Sequence, residues 1–158
     1  MKIAFLTALL FLVAPTEPRT ISWTDLVPEG AATAVAPGDP ADHEGGAAQQ
    51  TGSAEAVAEL DGAFIRMPGF MLPLDYTEKG KVKAFLLVPY YGACIHVPPP
   101  PPNQIVLARY PQGLKLTDIY TPLWVSGTLK IEQVSNDLAD AAYAIDKARV
   151  KVVEEADL

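Results

Sequence analysis

A chain of 158 residues with a single cysteine fits one domain and cannot form an internal disulfide. Its net charge of −7 sits almost wholly in residues 1–60, where eight acids face only Lys2 and Arg19, and the remainder is close to neutral. The folded part therefore lacks the basic footprint of a nucleic-acid binder, and with no glycine-rich phosphate loop the chain does not read as a nucleotide hydrolase.

The chain opens with Met1-Lys2 and an apolar run over residues 3–13. That run matches the apolar region of a secretory signal and falls short of the roughly 20 residues a spanning helix needs. Residues 1–19 are expected to be a signal peptide, which places the protein in the periplasm or cell envelope. A retained N-terminal anchor is the alternative, because Pro15 follows Ala14 and no clean Ala-x-Ala site is present. In an oxidising compartment a lone thiol, here Cys94, must be buried, metal-bound or reactive.

Residues 20–28 predict a short docking helix, with Ser22 and Asp25 spaced for a capping box and Trp23 and Leu26 as anchors. Residues 29–59 are rich in Ala, Gly, Pro, Gln and acids. Such a segment buries too little apolar surface to offset its ordering entropy, so it is expected to be a disordered linker.

Residues 60–154 change to short alternating runs. A long bent strand is expected over residues 63–72, interrupted at Pro68-Gly69, followed by a turn over 76–80. In the second strand Val82, Ala84, Leu86 and Val88 should face one way, with Lys81, Lys83 and Phe85 opposite. A third strand is expected over 104–110. The fourth is the clearest: Leu123, Val125, Leu129 and Ile131 alternate with polar residues and Trp124, and Gly127 permits curvature. Residues 136–141 predict a helical turn, and residues 142–153, which change phase near Asp146-Lys147, predict a bulged fifth strand. Together these make a mainly β protein, a small five-stranded, partly open barrel of the OB type with a short N-terminal helix; a small β-sandwich is the alternative.

Three strings carry a family resemblance: FLLVPYYGACIHVPPPPPNQIV from Phe85, RMPGFMLPL from Arg66 and LWVSGTLKIE from Leu123. They resemble the bacterial envelope family catalogued as domain-of-unknown-function family 3299. The resemblance implies an exported protein of undefined activity, often encoded near membrane-transport components and sometimes linked to zinc supply. It supplies no catalytic residues.

The chemistry must then be read from the residues. On an extended segment Cys94 and His96 point the same way, which presents a thiolate and an imidazole together. Zinc or copper(I) suits that pair, but two ligands are half of a closed zinc site, so Asp75, Asp118, His43 or a second subunit in a homodimer would have to complete it. A Cys-His nucleophilic dyad, the mark of a thiol-dependent enzyme or redox protein, is disfavoured because side chains two apart on a strand stand roughly 6–7 Å apart at their roots. Pro98, Pro99, Pro100, Pro101 and Pro102 predict a polyproline rod roughly 15 Å long. The rod can hold the Cys-His loop away from the barrel or offer a ridge to an envelope or transport-complex partner, with Tyr90 and Tyr91 as an aromatic rim. Asn103 and Gln104 are expected to cap the next strand. Met67 and Met71 read as core filler, and Arg66, Lys81 and Lys83 as a solvated basic patch.

Overall fold

The computed structural model describes residues 17–31, 50–93, 98–115 and 120–153. The strands are β1 (Arg19–Thr20), β2 (Phe64–Tyr76), β3 (Val82–Val88), β4 (Val106–Leu114), β5 (Leu123–Val134), β6 (Ala141–Ile145) and β7 (Arg149–Val152). The order β2-β3-β4-β6-β5 returns to β2 through a β2–β5 pairing, so five strands close a barrel and β1 and β7 are extra. The closing contacts are antiparallel except β4 with β6, which run parallel. The OB-like expectation holds and the sandwich does not; the barrel is closed rather than partly open.

Closure depends on β2, long enough to serve two partners. Its first half pairs with β5, from Phe64 opposite Thr128 to Gly69 opposite Leu123. Its second half pairs with β3, beginning with Phe70 opposite Val88. Pro68 and Gly69 stand at the change of partner without ending the strand, because Pro68 gives up only a donor and Gly69 has no Cβ in the crowded corner.

Even-numbered and odd-numbered residues of β2 take opposite faces. Ile65, Met67 and Met71 point into the barrel with Phe85, Leu87, Val106, Val125, Leu129, Tyr143 and Ile145, so both methionines are core filler as expected. The expected phase of β3 needs correction. A register shift between Val82 and Ala84 puts Val82 inside with Phe85 and Leu87, while Leu86 and Val88 turn outward. The outward pair is buried too, in a second cluster with Leu72, Ala93, Ile105, Leu107 and Ala139, because the loops after β3 and β5 fold over that face. A strand covered on both sides loses the alternation that a one-sided sheet shows.

The expected bulged fifth strand is found as β6 and β7, both antiparallel to β5. Ile145 pairs with Leu129 and Arg149 with Ser126, so four steps on one side face three on the other. The surplus residue is taken up at Lys147, which has φ 52°. Asp146 at this bulge accepts from Arg109 at 2.8 Å and from Lys130 at 2.7 Å, and Glu132 accepts from Arg109 at 2.7 Å. The contact with Lys130, then that with Arg109, holds the Asp146 carboxyl below its ordinary range. The groups are more than a third exposed, so water screens the network to below about 1 kcal/mol per pair.

The N-terminal helix is a single 3-10 turn, Trp23–Leu26, rather than an α-helix. Asp25 accepts from the Ser22 backbone N–H at 2.6 Å, and Leu26 is fully buried. The helical turn expected at 136–141 is instead a bend in which the Asn136 side chain accepts from the backbone of Leu138 and Ala139. Nor do Arg66, Lys81 and Lys83 form one patch: Lys83 pairs with Asp75 at 3.1 Å, nine residues along β2 from Arg66.

Candidate functional site

The loop between β3 and β4 carries Cys94, His96, the five prolines and the two tyrosines that the sequence singled out. Cys94 and His96 themselves lie outside the described residues, as do His43 and Asp118; the two flanks of the Cys-His string are described. On one side Ala93 is buried in the outer cluster at 2 % exposure. On the other, the Tyr90 hydroxyl donates to the Pro98 carbonyl at 3.2 Å. The described residues on either side of the string, Ala93 and Pro98, are therefore both held on the barrel.

The prolines do not form a projecting rod. Pro98, Pro99, Pro101 and Pro102 are half-buried and Pro100 is buried, and Pro102 already begins a 3-10 turn, Pro102–Gln104. Proline carries no donor, so its carbonyls are the groups to satisfy. The Gln50 side-chain amide donates to the Pro100 carbonyl at 2.8 Å. The same amide pairs with the Asp140 backbone in both directions, at 2.9 and 2.7 Å, and so ties the loop after β5 to the prolines. Gly52 lies against Pro101 so closely that a Cβ would fall 2.6 Å from its ring, and its φ of +100° also requires glycine. Asn103 and Gln104, expected as strand caps, are buried and bond elsewhere. Asn103 reaches the Glu55 carbonyl at 3.1 Å, and Gln104 reaches the Trp23 carbonyl at 3.3 Å.

Residues 50–59 thus lie on the barrel, although composition assigns them to a linker over 29–59. Composition misses them because they hold on through scattered polar contacts from Gln50, Ser53 and Glu55 and through only two small apolar residues, Ala56 and Val57, packed on the core. The Gln50 clamp is the feature of this site that sequence reasoning did not find. No local pattern marks it, since its partners are backbone atoms far along the chain.

The aromatic rim is real but differently composed. Tyr90 is half-buried in the outer cluster, whereas Tyr91 meets Phe70 edge-on at 6.4 Å and Tyr120 at 4.5 Å between ring centroids. Behind Tyr91 is an apolar cavity of about 30 Å³ between Phe70, Met71, Val88 and Ala93. That is about the volume of one water molecule, too small for an organic substrate. Among the described residues no group of three His, Cys, Asp or Glu side chains converges on a metal position. Asp75 is engaged by Lys83, which is also the main reason its carboxyl sits below the ordinary range.

The outer face of β3 and β4 corresponds to the surface with which OB barrels commonly grip oligonucleotides and oligosaccharides. Here it is occupied by the chain's own loop, held down by Tyr90 and Gln50.

The family model described as a protein of unknown function (DUF3299) matches residues 23–152. The crystal structure of a DUF3299 family protein from Pseudomonas aeruginosa PAO1 is similar with a TM-score of 0.81 and 42% identity, over 88% of this chain and 98% of that one. No curated protein matches the chain.

Proposed function

Since the chain belongs to the DUF3299 family, a family of unknown function, we propose from its own residues that it is an exported accessory protein of the cell envelope. Its working part is the loop over residues 90–102, which holds zinc or copper(I) at Cys94 and His96 and presents it to an envelope or transport-complex partner. The observation that supports this reading is that both flanks of the string are held on the barrel, Ala93 by burial and Pro98 by the bond from Tyr90. Ligands between two anchored flanks would lose less freedom on binding a metal than ligands on a free tail, which is the general advantage of preorganisation. A site with two local ligands has positions left for a second copy or a partner, which suits handing a metal on rather than storing it. Thiolate and neutral imidazole are required, so binding weakens as pH falls through the range where those groups protonate.

Thiol alkylation in the presence and absence of a chelator tests the proposal. Alkylation of Cys94 in protein loaded with zinc is expected to be slow and to accelerate when the chelator is added. A rate that is fast at neutral pH and indifferent to metal and chelator contradicts it and assigns Cys94 to a thiol-dependent enzyme or redox protein instead.

A further inference from the structure

The register of three neighbouring strands assembles a face that the loop chemistry does not use. In β2, β5 and β7, Arg66 stands opposite Ser126, and Ser126 opposite Arg149; in the adjoining row Pro68 stands opposite Trp124, and Trp124 opposite Lys151. Directly opposed residues of antiparallel strands share a face. Arg66, Arg149, Lys151 and Trp124 therefore project together from the outside of the barrel, while the alternate residues Ile65, Met67 and Val125 fill its core.

The Arg66 guanidinium lies 4.9 Å from the centroid of the Trp124 ring, and its Nε donates to Thr20 Oγ1 at 2.7 Å. At the far end of β5 the cations Arg109 and Lys130 are matched by Glu132 and Asp146. At this end, among the described residues, neither Arg66 nor Arg149 meets a carboxylate within ion-pair distance. Clustered like charges on one sheet face oppose folding, and no ion pair among the described residues offsets that for these two arginines. The same side of β2 continues past Pro68 to Phe70, which meets Tyr91, which meets Tyr120, itself 60% exposed.

Cations interleaved with partly exposed Trp and Tyr are the composition that settles at a bilayer surface. The cations meet lipid phosphates there, and the amphipathic rings sit at headgroup level. The chain's own layout adds a second reason for the form that retains its N-terminal anchor. The apolar run over residues 3–13 ends six residues before Arg19, where the chain enters this sheet as β1 with Thr20 paired to Arg66. Six residues span at most about 20 Å. We propose that the outer face of β2, β5 and β7 rests on the anionic headgroups of a phospholipid bilayer, and that this contact fixes how the loop over residues 90–102 is presented. The functional consequence rests on the envelope address proposed above; the lipid contact itself does not.

Cosedimentation of the full chain with vesicles of phosphatidylcholine, alone or with a minor fraction of phosphatidylglycerol, tests this. The apolar run partitions into both, so the readout is the increment caused by the anionic lipid. At about fivefold per cation, Arg66 and Arg149 together give an increment of roughly 25-fold at low salt. Replacing Arg66→Gln and Arg149→Gln together should abolish most of it, and each single replacement should remove about fivefold. Trp124 fluorescence should shift to the blue only with the anionic vesicles, a shift missing in Trp124→Phe. Equal partition into the two vesicles, or an increment that survives the double replacement, overturns the proposal. Displacement by inorganic phosphate beyond that caused by sodium chloride of equal ionic strength also overturns it, in favour of a small-anion site. Metal content of the double variant reports on the loop separately, so the two readings fail independently.

Discussion

Replacing Tyr143 with phenylalanine is expected to destabilise the fold by about 2–4 kcal/mol, although it removes a single oxygen atom. Tyr143 is fully buried on β6. Its hydroxyl donates to the Leu26 carbonyl at 2.9 Å and accepts from the Val57 N–H at 2.7 Å. One hydroxyl thus joins the N-terminal 3-10 turn to the segment leading into β2, and both lie on the barrel core. Phenylalanine takes away the partner of the Leu26 carbonyl and of the Val57 N–H, and a buried group left unpaired costs roughly 1–3 kcal/mol. Chemical denaturation should show the loss as a lower midpoint with an unchanged slope. A pH signature accompanies it. Burial raises the Tyr143 pKa above its ordinary value, against the opposing effect of the Val57 bond. The proton is therefore held more tightly in the folded state, so this contribution is present below the ordinary tyrosine range near pH 10 and fades as pH rises above it. Tyr143→Phe should lose that part of the alkaline destabilisation. A variant as stable as the parent would mean that the hydroxyl does not bridge the two segments.

Gly69→Ala is expected to cost about 1–3 kcal/mol through overpacking and to disturb the candidate site as well. A Cβ at Gly69 would fall 2.8 Å from the Trp23 ring, 2.8 Å from the Val88 carbonyl oxygen and 2.9 Å from a Leu87 methyl. Side chains could yield, but the Val88 oxygen is backbone at the end of β3, one residue before the loop begins. Trp23 is itself fixed there by its indole N–H donating to the Pro68 carbonyl at 2.8 Å. Relief must therefore come from moving β2 away from β3, and Phe70 and Tyr91 move with it. Thermal unfolding should drop by several degrees for each kcal/mol lost in a domain of this size. Near-ultraviolet circular dichroism should report the changed packing of the tyrosines. An unshifted unfolding temperature would contradict the close approach at this corner.

These two positions also mark how far the sequence could be read. The bent strand at Gly69 was legible because a glycine beside a proline, with apolar alternation resuming on the far side, marks a strand that bends rather than ends. Val82–Val88 and the start of β5 at Leu123 were legible from period and flanking turns, and the phase change at Asp146 announced the bulge. The inward turn of Val82 was hidden, because a bulge reverses a strand's faces without altering its composition. Tyr143 was hidden because its partners at Leu26 and Val57 are backbone groups, the first in a turn read as docking through its side chains and the second in a segment read as linker. The prolines were legible as a stiff element but not as a buried one, since what covers them, Gln50 and Gly52, looks like linker. Cys94 and His96 were legible only as residue types. What holds their flanks, the burial of Ala93 and the bond from Tyr90 to Pro98, is a tertiary fact.

The most direct test of the proposed function is metal content by mass spectrometry, on protein purified under reducing conditions. The account predicts zinc or copper in the parent at no more than one ion per chain, and its loss in both Cys94→Ser and His96→Ala, with the barrel still folded. A parent without metal, or the same content in all three proteins, would contradict it and leave the loop as a docking surface alone.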